Sequence, residues 1–158
     1  METSLYSDYK PNTVYVIYIV ARPEKVWAAL TEADFTEKYF FGRHVNSDWK
    51  IGSTWSMAKP DGALDVQGKV LESDPPRRLV LSWRVESMEE LRHLPDTVVT
   101  YQIDSLGEVA RLTMTESHSP TLDPKYLEGG RKGWPMILSG LKSLLETGHA
   151  LPEFDRSG

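Results

Sequence analysis

The chain has 158 residues, 40% of them hydrophobic and 26% charged, with a net charge of −5 and no cysteine. This length is typical of one globular domain whose core needs no disulfide or metal to hold it together. The acidic balance argues against nucleic-acid binding, and the absence of cysteine excludes a disulfide framework and a thiolate nucleophile. No apolar run is long enough to cross a membrane, and no signal peptide is recognisable. We therefore expect a cytoplasmic protein without membrane insertion.

The first part of the chain predicts one strand and then two short helices. Residues 13–20 are almost all β-branched or aromatic, which is typical of a strand. Apolar residues fall on both of its faces, so we expect this strand to be covered on both sides. Pro23 suits the first turn of a helix, and a second short helix is expected over about residues 34–40.

The middle of the chain predicts an antiparallel meander. Apolar and polar residues alternate over residues 79–85, 99–103 and 110–114, which indicates strands with one face turned to a core. A turn is expected at Asp74-Pro75-Pro76-Arg77, because proline cannot continue a strand ladder. Residues 88–95 form a polar loop with room for one helical turn.

The last predicted element is a long amphipathic helix. Apolar residues follow helical spacing from Trp134 to Leu145, with a start near Lys132 and a C-terminal cap at Gly148. A sheet with one apolar face has to cover that face, and this is the long helix available. The sequence predicts an α+β fold in which about six strands curve around the final helix. Residues 1–12 are expected to be an N-terminal arm, 13–149 a single domain and 150–158 a tail.

Several segments, taken together, resemble one protein family. They are residues 23–30 (PEKVWAAL), Ser47-Asp48 with Gly52 and Trp55, residues 68–80 with Trp83, residues 111–115 and residues 133–148. As an ordered set over residues 13–149, they resemble the heat-shock-protein ATPase activator homologue family. The resemblance implies the helix-grip fold of START-like (SRPBCC) proteins, whose members bind lipids, sterols or polyketides. It also implies a heat-shock ATPase as an alternative partner.

The predicted inner face is the first candidate site. Ten residues are expected to face one another between sheet and helix: Trp27, Trp55, Met57, Leu81, Trp83, Tyr101, Met114, Trp134, Ile137 and Leu141. They have two interpretations. Either they line an apolar cavity for a lipid or a polyketide-like aromatic, or they fill a close-packed core. We predict ligand binding, with no cofactor.

Glu116 and His118 are the second candidate site. They continue the inward parity of Ala110, Leu112 and Met114, so a regular strand would point both toward the interior. A carboxylate and an imidazole there suit proton transfer or the fixing of a polar ligand group. The alternative is that the strand ends near Thr115 and leaves both at a solvated rim.

No metal site and no catalytic residue is predicted. The four histidines, His44, His93, His118 and His149, lie in different elements and lack partners at ligand spacing. Small-molecule binding is accordingly the predicted function. A co-chaperone-like interaction domain is the first alternative, and a polyketide cyclase or dehydratase using Glu116, His118 and Tyr101 is the second.

Overall fold

The protein is described by a computed structural model over residues 5–157. Seven strands and four helices occur among these residues, with a 3₁₀ turn at Pro124–Leu127 before the last helix. In chain order they are β1 (Lys10–Ile19), α1 (Pro23–Thr31), α2 (Ala33–Tyr39), β2 (His44–Asn46), β3 (Thr54–Ala58), β4 (Leu64–Asp74), β5 (Arg78–Val85), α3 (Glu89–Arg92), β6 (Thr97–Ser105), β7 (Ala110–His118) and α4 (Glu128–Thr147).

The strands form one antiparallel sheet in the order β1-β7-β6-β5-β4-β3-β2. The first and last strands of the chain lie side by side, and β2 forms the opposite edge. The predicted fold, a curved sheet around one long C-terminal helix, is confirmed. The strand beyond the expected six is β2, whose three residues are too few to show an alternating pattern.

Helix α4 covers the inner face of the sheet. It begins at Glu128, earlier than predicted, and so includes the glycine-rich residues 129–133. Pro135 lies inside the helix and has no N–H, so the carbonyl of Arg131 loses its helical donor. The hydroxyl of Tyr15 on β1 donates to that carbonyl instead, at 3.2 Å. The helix ends at Gly148, which adopts φ 86° as predicted for a cap.

Two short helices close one end of the sheet, as predicted. The hydroxyl of Tyr39 on α2 donates to the carbonyl of Ala29 on α1 at 2.6 Å and joins the two helices. Gly140 of α4 lies against Tyr39, where a Cβ would approach the Tyr39 Cβ to 3.2 Å. Tyr39 therefore links α2 directly to both α1 and α4. No helix within residues 5–157 is long and apolar enough to span a membrane.

The expectation that β1 is covered on both faces is wrong. Its inward residues pack toward the core, whereas three outward side chains and Val20 directly after the strand are 48–61% exposed: Val14, Val16, Tyr18 and Val20. The reason is that α4 covers the inner face of the sheet, and no described residues form a second layer over the outer face of β1. The N-terminal residues Tyr6 and Tyr9 cover a different outer patch, formed by Leu71, Val80 and Val98.

Candidate functional site

The space between sheet and α4 holds a cluster of interlocking aromatic rings. Trp134 of α4 lies at its centre, with ring centroids 5.6 Å from Phe40, 5.7 Å from Trp83 and 6.2 Å from Tyr101. All three contacts are edge-to-face, the geometry that the ring quadrupoles favour. Trp55 extends the cluster, since its ring centroid is 4.6 Å from that of Trp83. Aromatic side chains thus occupy much of the volume that a ligand would need.

The structure brings the ten predicted apolar residues into one cluster. Eight are buried, and Trp27 and Trp83 pack against the cluster while partly exposed. Three surface pockets lie elsewhere, with volumes of about 340, 960 and 270 Å³, and none of the ten lines them. The first pocket lies between α2, α4 and the C-terminal tail, the second beside Pro75 and Pro76, and the third on the outer face near Gly68. A ligand site at the ten residues stays a prediction.

At Trp55, the interior is closed by the backbone of β4 and β5. The Trp55 indole N–H donates to the carbonyl of Ser82 on β5 at 2.8 Å. Gly68 on β4 lies against the same carbonyl, so closely that a Cβ would be 1.8 Å from the oxygen. Only glycine fits this position without moving a strand. This end of the interior is therefore fixed by close contact of backbone and indole.

The other end of the interior is polar. Strand β7 stays regular to His118 and turns Glu116 and His118 inward, where they are 8% and 7% exposed. Neither side chain is at a solvated rim. One oxygen of Glu116, Oε2, accepts the indole N–H of Trp134 at 2.8 Å. The other, Oε1, lies 3.6 Å from Nε2 of His118, and His118 Nδ1 lies 3.0 Å from Oδ1 of Asn12.

Burial controls the charge of this polar end. Loss of solvent raises the pKa of Glu116, an effect that the Trp134 N–H and the positive charge of Arg131 partly oppose. Burial, together with Arg131, lowers the pKa of His118. Burial and the nearby Glu116 raise the pKa of Tyr101, which keeps its proton. The environment disfavours charge on both members of the pair, and a carboxyl beside a neutral imidazole can exchange a proton with a bound group.

Sequence reasoning missed three residues that build this end. Thr13 lies directly opposite Glu116 in the β1–β7 register. Asn12 holds His118 but falls in the segment predicted to be an arm. Gly130 of α4 rests on the carboxylate, where a Cβ would be 2.8 Å from Glu116 Oε1. Thr13 lies two residues before Tyr15, so strand alternation could have placed it on the same inward face. Nothing in the local sequence distinguishes Gly130 from Gly129 and Gly133.

The described residues show no group of three or more His, Asp or Glu side chains that could hold a metal ion. His44 pairs with Glu37 on α2, with Nδ1 3.3 Å from Oε2. His118 faces Glu116, as described above. His118 therefore has the Glu116 carboxyl and the Asn12 amide as neighbours, which is the environment of a proton-carrying or hydrogen-bonding imidazole.

Most of the part of the chain that forms the sheet and α4 also matches a known protein family. Residues 20–146 match the family model described as Activator of Hsp90 ATPase homolog 1-like protein, which is well over half of the sequence. The chain belongs to this family. The resemblance of the sequence segments is thereby confirmed. Among curated proteins, none matches the chain.

Solved structures share the helix-grip fold of this family member. A Mesorhizobium loti protein is 22% identical, with a TM-score of 0.68, and the match covers 84% of this chain and 96% of that one. An HSP90 activator from Plasmodium falciparum is 21% identical, with a TM-score of 0.68 and coverage of 84% and 94%. DynU16, a putative protein in the dynemicin biosynthetic locus, is 20% identical, with a TM-score of 0.72. That last match covers 91% of this chain and 49% of DynU16.

Proposed function

We propose that this family member is a small-molecule binding domain that holds a hydrophobic ligand, a lipid or a polyketide-like aromatic, between the sheet and α4. The observation that carries the proposal is the buried pair Glu116 and His118 at one end of an apolar inner face. Burying titratable side chains costs free energy that apolar residues would avoid. Buried groups with shifted pKa values concentrate at functional sites.

The start of α4 is the part that can admit a ligand. Residues 128–134 contain three glycines, each of which favours a helix by about 1 kcal/mol less than alanine does. Pro135 interrupts the backbone ladder directly after them. Movement of this segment would withdraw Trp134 from the aromatic cluster and free volume beside Tyr101 and Met114. The ten apolar residues would then line the site, with Glu116 and His118 at its polar end.

Native mass spectrometry of the purified chain, with a thermal-shift screen of fatty acids, sterols and polycyclic aromatics, tests the proposal. We expect a co-purifying mass or a rise in Tm, since a ligand at 100 times its Kd adds about 2.7 kcal/mol to stability. Amide chemical-shift changes should concentrate on β6, β7 and the start of α4. The proposal fails if the screen finds no bound mass and no ligand that raises Tm.

A heat-shock ATPase is the second candidate partner. Family membership supports it, and so does the exposed apolar stripe of β1, because such patches mark protein interfaces. NMR titration with a heat-shock ATPase is the test, with Val16→Lys as the variant on the stripe. Ile51→Lys is the matched control, because Ile51 is also exposed but lies away from β1. Equal binding by both variants would remove the stripe from consideration.

The cyclase or dehydratase alternative uses the same polar end. Its support is that Glu116 and His118 face each other inside the protein, with Tyr101 within electrostatic range of Glu116. Turnover is the distinguishing measurement. A ligand found by the screen should be converted to a product with a new chromatographic retention time if this alternative holds, with the mass of one water lost on dehydration and the mass unchanged on ring closure alone, and His118→Gln should stop the conversion. Recovery of the ligand with both mass and retention time unchanged would favour simple binding.

A further inference from the structure

We infer that Thr13, Glu116 and His118 build a hydroxyl-binding subsite, so that the ligand is a hydrophobic alcohol or phenol rather than an acid. The inference rests on the proposed function and specifies the ligand class of the same site. It is carried by three polar atoms at the polar end of the inner face: Oγ1 of Thr13, Oε1 of Glu116 and Nε2 of His118.

The hydroxyl of Thr13 is the first observation. Its Oγ1 is buried and has no hydrogen-bond partner among residues 5–157. A buried polar atom left unpaired costs roughly 1–3 kcal/mol, and such atoms in native proteins call for a specific explanation. Thr13 is the direct cross-strand partner of Glu116, so the two side chains stand on one face about 5 Å apart at Cβ.

The spacing of Glu116 and His118 is the second observation. Glu116 Oε1 and His118 Nε2 are 3.6 Å apart, which is beyond the range of a direct hydrogen bond. His118 Nδ1 faces the Asn12 side-chain oxygen, an acceptor, so Nδ1 carries the proton and Nε2 of the neutral ring is an acceptor. The other carboxylate oxygen is already engaged by Trp134. Oε1 and Nε2 therefore lie side by side without a hydrogen bond between them, and Gly130 of α4 covers Oε1. Movement of the start of α4 would uncover both atoms for a ligand.

A hydroxyl group is the complement of this arrangement. Its proton can be donated to Glu116 or His118, and its oxygen can accept from Thr13. A carboxylate ligand would bring a charge into a buried setting that already disfavours charge on Glu116, which is unfavourable. A plain hydrocarbon would leave the Thr13 hydroxyl unpaired. The guanidinium of Arg131 lies on the exposed side of α4 and acts on the pair at longer range.

The test compares three probes of one shape: 2-naphthol, 2-naphthoate and naphthalene. Their affinities for the full chain are measured by titration calorimetry and by quenching of tryptophan fluorescence. We expect 2-naphthol to bind about tenfold more tightly than either of the others, the effect of one well-made hydrogen bond and one avoided charge. Thr13→Val, which keeps the side-chain shape, should reduce 2-naphthol affinity about fivefold and leave naphthalene affinity unchanged.

Thr115→Val is the matched control, because Thr115 lies on the same pair of strands but its side chain has the outward parity. It should leave all three affinities unchanged. Equal affinities for 2-naphthol and naphthalene, or an unchanged 2-naphthol affinity in Thr13→Val, would overturn the hydroxyl subsite while the binding proposal survives. Tighter binding of 2-naphthoate would overturn it as well. Binding of none of the probes, together with an empty ligand screen, would remove both proposals.

Discussion

The two ends of the interior are closed in different ways. At the Trp55 end, Gly68 lies against the backbone carbonyl of Ser82, and the Trp55 indole seals the contact. At the Glu116 end, Gly130 lies against the tip of a side chain and belongs to a helical segment rich in glycine. Backbone in a sheet cannot move alone, whereas a side chain and a weak first helical turn can. The difference indicates a fixed end and an end that can open.

The largest expected effect comes from Gly68→Ala at the fixed end. Its Cβ would lie 1.8 Å from the Ser82 carbonyl oxygen, so β4 and β5 would have to separate and the Trp55 hydrogen bond would break. We expect a loss of about 3 kcal/mol or more, at the upper end of overpacking costs. Urea unfolding measures it. Gly130→Ala should cost much less, and an equal cost would show that the two ends are equally rigid.

Trp134→Phe tests the opening end. It keeps an aromatic ring in the cluster but removes the N–H that Glu116 accepts. The buried carboxylate then loses a donor, which should lower stability by roughly 1–3 kcal/mol and raise the pKa of Glu116 further. Trp27→Phe is the control, because the Trp27 indole N–H has no acceptor among the described side chains and backbone. Similar losses in both variants would mean that ring size, not the hydrogen bond, sets the cost.

Glu116→Gln should change how the stability of the protein depends on pH, in a direction set by the raised pKa of Glu116. The folded protein binds the Glu116 proton more tightly than the unfolded chain does, because burial raises its pKa above the ordinary 4.5. The wild type therefore loses stability as pH rises from the unfolded pKa through the folded one. The Gln variant lacks this loss, so its Tm relative to wild type should increase with pH across that window. Because His118 lies 3.6 Å from Glu116 and its own pKa is lowered, the same comparison is made in a His118→Gln background to separate the two groups. A Tm difference that does not vary with pH would contradict the buried carboxyl.

Gly129→Ala should have the smallest effect and the opposite sign. No heavy atom lies within 4 Å of the added Cβ, so alanine fits. Helix propensity then predicts a gain of about 0.5–1 kcal/mol. If the start of α4 admits ligand, this gain should also slow 2-naphthol association in stopped-flow measurements. Unchanged association would place the entrance elsewhere.

The contrast between the two ends also explains what the sequence could predict. Alternation placed Leu81, Tyr101 and Met114 on the inner face, and helical spacing placed Trp134 opposite them, because each pattern depends on neighbours in the chain. The parity of Glu116 and His118 followed from the same rule. The contacts of Gly68 and Gly130 did not, since both depend on residues brought close by the fold. The exposed face of β1 was misassigned because an apolar composition on both faces of a strand does not show whether a second layer covers the outer one.

The proline in α4 has a consequence for how the helix opens. Since Arg131 gives its carbonyl to Tyr15 instead of to a helical amide, the backbone ladder on either side of Pro135 is not continuous. The helix should therefore behave as two cooperative units, with amides of residues 132–134 exchanging with solvent faster than those of residues 138–145. Hydrogen exchange in Tyr15→Phe should widen that gap. One phenolic hydroxyl on the edge strand would then set how often the polar end of the interior meets water.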